Sequence, residues 1–299
     1  MIKIQNVTKS YGKVKAVKEV SFQVQDGSIF GLVGSNGAGK STLLRMMTGI
    51  MKADQGDILV DGERVYENPS IKEEIFYISD QPFFFPNSSP IDMEKYYMTI
   101  YPRFDQQRFE DFLLRFHLGK KRKISTYSKG MRGQLAMLLG ICANTKYIIF
   151  DETFDGLDPV IRQAMKAVIV GEVESRGLTA IISFHNLREL EDICDHIGLI
   201  HQGGILLSKD LEQMKSGIHK VQCVVSVEGE QYIKEVLHPM KMEKRGSLLT
   251  LTVRGDEEVV RRALEECKPV FYEILPLSLE EIFISETEVE GYDIKNFVF

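Results

Sequence analysis

Gly34-Ser35-Asn36-Gly37-Ala38-Gly39-Lys40-Ser41-Thr42 decides the fold of this chain. The stretch has the spacing G-x-x-x-x-G-K-[ST] of a loop that cradles phosphate groups. Glycines at 34, 37 and 39 let the backbone curl so that successive N–H groups point inward at phosphate oxygens. A Cβ at the tightest points would block that approach. Ser35, Asn36 and Ala38 complete the cradle, and Thr42 closes the motif. Lys40 brings a mobile positive charge to the β- and γ-phosphates, and Ser41 offers a hydroxyl ligand for Mg²⁺. The helix that starts here adds its positive end to the same anion site.

The flanks give the motif its setting. Ser28-Ile29-Phe30-Gly31-Leu32-Val33 is a short apolar run that reads as a buried strand. Leu43-Leu44-Arg45-Met46-Met47-Thr48 reads as a helix stopped by Gly49. Strand, loop and helix follow in the order that a phosphate site needs.

A second stretch completes the chemistry. Tyr147-Ile148-Ile149-Phe150-Asp151-Glu152 is an apolar strand that delivers two acids to its C-terminal edge. In a doubly wound sheet, ligands bind at that edge. A strand-end Asp partners Mg²⁺ in phosphate-loop enzymes, and the adjacent Glu is placed to orient or deprotonate an attacking water. Leu178 to Ser183 reads as a further strand, with His185 just past its end in a comparable position.

Composition bounds the class. The 299 residues are 43% apolar, enough for an ordinary core, and the length suits one large domain plus a small one, or two of medium size. No apolar run reaches the length of a membrane span, and the N-terminal residues lack the plan of a signal peptide. A soluble, cytosolic chain is expected. Cys142, Cys194, Cys223 and Cys267 have no paired spacing and read as reduced, buried side chains. The formal net charge of −6 weighs against a dedicated nucleic-acid binder.

The remainder reads in order. Residues 1–27 form two strands around a turn, with Tyr11 in the turn region beside Gly12. An aromatic there can stack on a base or simply pack. Gly56 to Gly62 and Ile75 to Ser79 are strands. Phe83-Phe84-Phe85 between Pro82 and Pro86 is either a small core under a loop or an interaction surface. Helices follow from Pro90 to about Leu118, broken near Pro102. Ser128 and Gly130 stand at the start of a mostly buried helix containing Leu135 to Ile141, another anion-favouring terminus. Phe154 to Pro159 is a turn, and a helix begins at Pro159. From about Lys220 the character changes: strands at Val221–Val227, Leu248–Val253 and Val270–Leu275, with a helix near Asp256–Cys267.

With these pieces in sequence, the chain resembles the ATP-binding subunit of an ABC transporter over about residues 1–215. The resemblance implies an α/β fold: a phosphate-loop NTPase core with an antiparallel β subdomain, a helical subdomain at about 83–145, and a small C-terminal α+β domain over 216–299. It implies ATP and Mg²⁺ as cofactors. Tyr11 then resembles the aromatic that stacks on adenine, and Asp155 to Asp158 the loop that links two active sites. Glu152 resembles the catalytic base and His185 the switch histidine at the γ-phosphate, with Lys40 completing the catalytic set. Ser128, Lys129 and Gly130 resemble the signature that grips nucleotide on the opposite subunit. Ser41 and Asp151 are the implied metal ligands, joined by Asp80 or Gln81 at the position of the Q-loop.

Three departures stand out. The family's usual Leu-Ser-Gly-Gly-Gln is here Tyr127-Ser128-Lys129-Gly130-Met131. Aligning Tyr77-Ile78-Ser79 with the family puts Asp80, not Gln81, at the Q-loop glutamine. Phe184 replaces the small residue usual before the switch histidine. None removes Lys40, Asp151, Glu152 or His185, so ATP hydrolysis is expected. The implied partners are a second copy or a paralogous ATPase subunit and a separately encoded permease, with no nucleic acid. The implied location is cytoplasmic, peripheral on the inner face of the membrane. The tail Pro276 to Phe283 resembles that of export-type bacterial subunits, including those of antibiotic resistance. The alternative is a soluble ABC ATPase acting on a ribosome, a nucleic acid or a cofactor-assembly complex.

Overall fold

The computed structural model describes residues 1–185, 187, 190–215, 217–275 and 277–283. The chain divides into two compact units, Met1–Ser208 and Lys209–Phe299. The boundary falls earlier than residue 215 because the short helix at Leu211–Lys215 groups with the second unit.

The first unit begins with strands β1 (Ile2–Tyr11) and β2 (Val14–Val24), which pair antiparallel. Strand β3 (Ile29–Val33) is buried along its whole length and leads into helix α1 (Lys40–Met47). Strands β4 (Gln55–Val60) and β5 (Glu63–Arg64) complete a four-stranded antiparallel sheet of order β2-β1-β4-β5. Helix α2 (Pro69–Lys72) precedes strand β6 (Ile75–Ile78). The helical part follows: α3 (Pro90–Ile100), α4 (Gln106–Arg115) and α5 (Lys129–Cys142). The chain then lays down β7 (Tyr147–Asp151), α6 (Pro159–Arg176), β8 (Thr179–Phe184), β9 (His196–His201) and β10 (Gly204–Asp210). With β3 and β6 these strands form a six-stranded sheet of order β10-β9-β3-β8-β7-β6. The pairs β9/β3, β3/β8, β8/β7 and β7/β6 are parallel. Strands that are parallel and buried on both faces read as continuous apolar runs, which is why β3, β7 and β8 were legible.

Helices α3, α4, α5 and α6 start at side-chain caps. Ser89 and Asp92 form a capping box at α3, and Asp105, Ser128 and Asp158 cap α4, α5 and α6 through their side chains. Helix α1 has no side-chain cap. Its N-cap is Gly39, at φ +111°, so its first N–H groups are left to the phosphate loop.

The second unit holds α7 (Leu211–Lys215), β11 (Ile218–Val224), α8 (Val227–Leu237), β12 (Lys241–Arg245), β13 (Leu248–Arg254), α9 (Glu257–Glu266) and β14 (Phe271–Leu275). After α7 the order is βαββαβ, and the sheet order β12-β13-β11-β14 makes it a ferredoxin-like split βαβ unit. Its core is Val221, Cys223, Leu249, Leu251 and Val253 from the strands against Ile233, Leu237, Val260 and Leu264 from α8 and α9. The expected strand at Val221–Val227 is corrected here: it ends at Val224, and Val227 opens α8. Ser226 accepts a hydrogen bond from the Gly229 N–H and caps the helix, ending an apolar run that otherwise continues. Pro276 of the expected tail and residues 284–299 lie outside the described residues.

Candidate active site

Parallel register brings the chemistry to one edge. Val33 pairs with Phe184, Asp151 with Ser183, and Phe150 with Ile78. The residues that follow β3, β7 and β8 therefore emerge side by side at the C-terminal edge of the sheet.

The phosphate loop is shaped by what its glycines avoid. A Cβ on Gly34 would lie 2.3 Å from the Ile200 carbonyl oxygen, and one on Gly39 would lie 2.3 Å from that of Ala16. Ala38 N–H donates to the Ser35 carbonyl at 3.1 Å, tightening the curl, while Ser35, Asn36 and Gly37 face solvent. Lys40 is only 4% exposed. Its Nζ donates to the carbonyl of Gly34 at 2.6 Å and pairs with Glu152 Oε1 at 3.1 Å.

Asp151 is 1% exposed, and both its carboxylate oxygens are engaged. Ser41 Oγ donates to Oδ1 at 3.0 Å, Ser183 Oγ to Oδ1 at 3.1 Å, and the Tyr77 hydroxyl to Oδ2 at 2.8 Å. A serine hydroxyl and a carboxylate oxygen in contact form a hard oxygen pair of the kind that suits Mg²⁺, so the residues present fit that ion. Glu152 takes a left-handed backbone, φ +52°, and its N–H donates to Ser183 Oγ at 2.9 Å. That turn is unusual for a residue with a Cβ and re-aims the side chain toward Lys40.

Outside this cluster, His185 Nδ1 lies 3.3 Å from Asp155 Oδ2. Ser128 Oγ accepts from Met131 N–H. A Cβ on Gly130 would lie 2.8 Å from the Gly156 carbonyl, so that glycine is required where the signature stretch meets the Asp155–Asp158 turn. Lys129 is exposed and its stem runs beside Gly156, which makes room for a long side chain at this departure from the family pattern. The Asp158 carboxylate caps α6 through Ile161 N–H. Tyr11 is half exposed, its hydroxyl against Met51 Sδ. Asp80 and Gln81 are both exposed and, among the described residues, neither bonds to Ser41 or Asp151.

Sequence reasoning missed Tyr77, Arg45 and Ser183. Burial raises the Tyr77 phenol pKa well above its ordinary value, and the Asp151 carboxylate adds to that shift, so the hydroxyl remains a donor. A hydrogen bond to Tyr77 raises the Arg45 guanidinium, with Asp151 and Tyr11 contributing at longer range. The available signal was a polar atom in an otherwise apolar strand: Tyr77 in β6 and Ser183 in β8.

The aromatic loop resolves into a surface. Phe83 is 73% exposed, and it meets Phe85 edge to face, as Phe85 meets Tyr96. With Tyr77, Met93 and Tyr97 they line a groove of about 320 Å³. The cluster is a surface rather than a small core, because the side chains stack on one another and leave their outer faces in solvent.

Comparison with known proteins decides the family. Residues 17–155 match the ABC transporter domain family. The ABC transporter ATP-binding protein YtrB of Bacillus subtilis is 31% identical over 286 residues, covering 96% of this chain and 98% of the relative. This chain belongs to the ABC transporter ATP-binding proteins. It is an ATP-hydrolysing, nucleotide-binding subunit of a transporter. The lantibiotic transport ATP-binding protein SrtF of Streptococcus pyogenes is 33% identical over 214 residues, covering 71% of this chain and 92% of the relative. The bacitracin transport ATP-binding protein BcrA of Bacillus licheniformis is 30% identical over 218 residues, covering 72% and 71%. Among solved structures, an ATP-binding subunit of an ABC transporter aligns with a TM-score of 0.66 at 23% identity, covering 72% of this ABC subunit and 92% of that chain. A dimeric ATP-binding cassette bound to ADP and Pi aligns at 0.64 and 20%, covering 71% and 99%. These structures share the α/β phosphate-loop cassette fold.

Proposed function

We propose that this subunit closes head to tail with a second copy, or with a paralogous ATPase subunit, around two ATP molecules and so drives a separately encoded membrane permease, in an exporter. The observation that carries the reading is the junction of Lys40, Ser41, Asp151 and Glu152 at one sheet edge. The relatives named for lantibiotic and bacitracin transport support an export role. Among the described residues no helix is long and apolar enough to cross a membrane, which fits a peripheral subunit at the inner face.

In this mechanism, Gly34–Thr42 of one copy and Ser128–Gly130 of the other enclose each nucleotide, and Tyr11 stacks on adenine. Asp158 and its turn carry contact between the two sites. Closure is favoured because ATP is contacted from both sides only in the closed state. Lys40 leaves Glu152 for the β- and γ-phosphates, and Glu152 then orients and deprotonates water. His185 leaves Asp155 for the γ-phosphate. Ser41 and Asp151, with Asp80 or Gln81, would hold Mg²⁺, which would neutralise charge on the phosphates. The segment from Asp80 through the Phe83–Phe85 surface carries the motion to the permease.

The test is capture of tagged Glu152→Gln protein from gently solubilised native membranes with ATP and Mg²⁺. A polytopic membrane protein in near-equal amount is expected. Recovery of ribosomal or soluble assembly proteins without a membrane chain would overturn the permease reading.

A further inference from the structure

We propose that Tyr77 is a positioning residue for the metal site, holding the Asp151 carboxylate in the rotation that turns Oδ1 toward Ser41. The inference rests on the reading of Ser41 and Asp151 as metal ligands. A terminal carboxylate turns easily about its last bond, since that torsion has broad wells. Two fixed donors on Oδ1 do not by themselves set the plane, because Ser41 is also the residue that must release its hydroxyl to a metal. The third contact, Tyr77 to Oδ2 at 2.8 Å, comes from the opposite oxygen and from a different strand. It is therefore the contact on Oδ2 that persists, beside Ser183 on Oδ1, when Ser41 turns to a cation.

The phenol is itself held. Tyr77 lies in β6 with its backbone registered against Ile149 of β7, two residues before Asp151. Arg45, one helical turn after Ser41 on α1, is the cation beside the phenol oxygen, and the phenol raises the pKa of the Arg45 guanidinium in turn. The Tyr77 ring packs against the core cluster that includes Leu44, Ile75 and Ile149. Tyr77 thus ties β6 to the carboxylate at the end of β7, with the Arg45 charge on α1 beside it. Outer partners of this kind set ligand orientation, and their removal costs about 10–100-fold in metal affinity.

The experiment titrates Mn²⁺ into the full chain with a non-hydrolysable ATP analogue and reads free Mn²⁺ by electron paramagnetic resonance. Nucleotide binding in EDTA is measured in parallel. Tyr77→Phe keeps the ring and removes only the hydroxyl. It should weaken Mn²⁺ by about 10-fold or more, with metal-free nucleotide binding within twofold of wild type. Arg45→Met, which leaves phenol and carboxylate in place, should move metal affinity the same way. If Asp151→Asn abolishes Mn²⁺ binding while Tyr77→Phe and Arg45→Met leave it unchanged, the role of Tyr77 is overturned and the metal site stands. If Asp151→Asn leaves Mn²⁺ binding intact, the metal assignment falls and Tyr77 falls with it. Equal weakening with and without metal also overturns the proposal, since it would mark a general packing role.

Discussion

Lys40 Nζ and Glu152 Oε1 stand 3.1 Å apart, so the cation of the phosphate loop and the acid at the end of β7 neutralise each other across the sheet edge. Both are drawn from solvent, Lys40 almost completely. Any anion that takes Lys40 must compete with Glu152, and the same exchange frees the Glu152 carboxylate. In the proposed mechanism, nucleotide entry and readiness for hydrolysis are linked through this one ion pair.

Glu152→Gln tests this exchange directly. The neutral amide holds Lys40 less strongly, so ATP affinity should stay equal or rise. Turnover should fall about 10²–10⁴-fold with loss of the base, and ATP should leave a stable dimer. Phosphate release and size-exclusion chromatography read the two arms. Turnover at the wild-type rate would sink the role given to Glu152.

Gly39→Ala should damage the loop more than its size suggests. The residue sits at φ +111°, and the added Cβ would meet the Ala16 carbonyl at 2.3 Å, a backbone atom that cannot swing aside. A loss of about 1–3 kcal/mol in stability is expected from the forced conformation, with nucleotide affinity falling as the N–H groups turn away. Chemical denaturation and fluorescent-nucleotide binding check both. Gly37→Ala is a useful contrast: its φ is also positive, but no atom lies within 4 Å of the new Cβ.

Glu172 on α6 is 2% exposed and bonds Arg108 of α4 and Arg176 of its own helix. Burial alone would raise its carboxyl pKa. The hydrogen bonds from Arg108 and then Arg176 outweigh burial and leave it below the ordinary glutamate value. A depressed folded pKa gives stability that is complete above the unfolded value and lost as pH falls through the folded one. Glu172→Gln should therefore cost about 3 kcal/mol at neutral pH, the low end for breaking a buried pair, since Arg108 keeps some solvent. The gap from wild type should close in acid, below the ordinary glutamate range. Urea melts across pH measure it, and a gap that widens in acid would refute the assignment.

Phe83→Asp separates the groove from the nucleotide site. Phe83 is largely exposed and touches Phe85 rather than the catalytic cluster. ATP hydrolysis by the isolated subunit should stay within twofold of wild type, while capture of the proposed permease should be lost. Hydrolysis assays and the membrane capture experiment report the two effects. Unaltered capture would remove the aromatic surface from the coupling route.

Much of this was legible along the chain because its signals are local. Glycines at fixed offsets, an apolar strand ending in two acids, and side-chain caps before helices depend on neighbours only a few residues apart. The fold class and the residues of the phosphate loop and the β7 edge followed from those signals together with the family pattern. In the C-terminal unit the signals were weaker: β12 is the charged run Lys-Met-Glu-Lys-Arg, and α8 hides behind an apolar run broken only by its cap. The first-unit strands β9 and β10 likewise carried no motif.

Partner choice was decided only by tertiary structure. Sequence order separates Lys40 from Glu152, Ser41 and Tyr77 from Asp151, and Arg108 from Glu172 by whole elements, and nothing local selects one carboxylate over another. Parallel register and strand order do so, because they alone place the ends of β3, β6, β7 and β8 beside one another. Charged and hydroxyl groups then pair at hydrogen-bond distance because an unpaired polar atom in a buried edge is costly. The amino-acid sequence placed a phosphate-loop lysine at 40 and two acids, Asp151 and Glu152, at the end of an apolar strand. The fold decided that Lys40 is held by Glu152, and that Asp151 is held by Ser41, Ser183 and Tyr77.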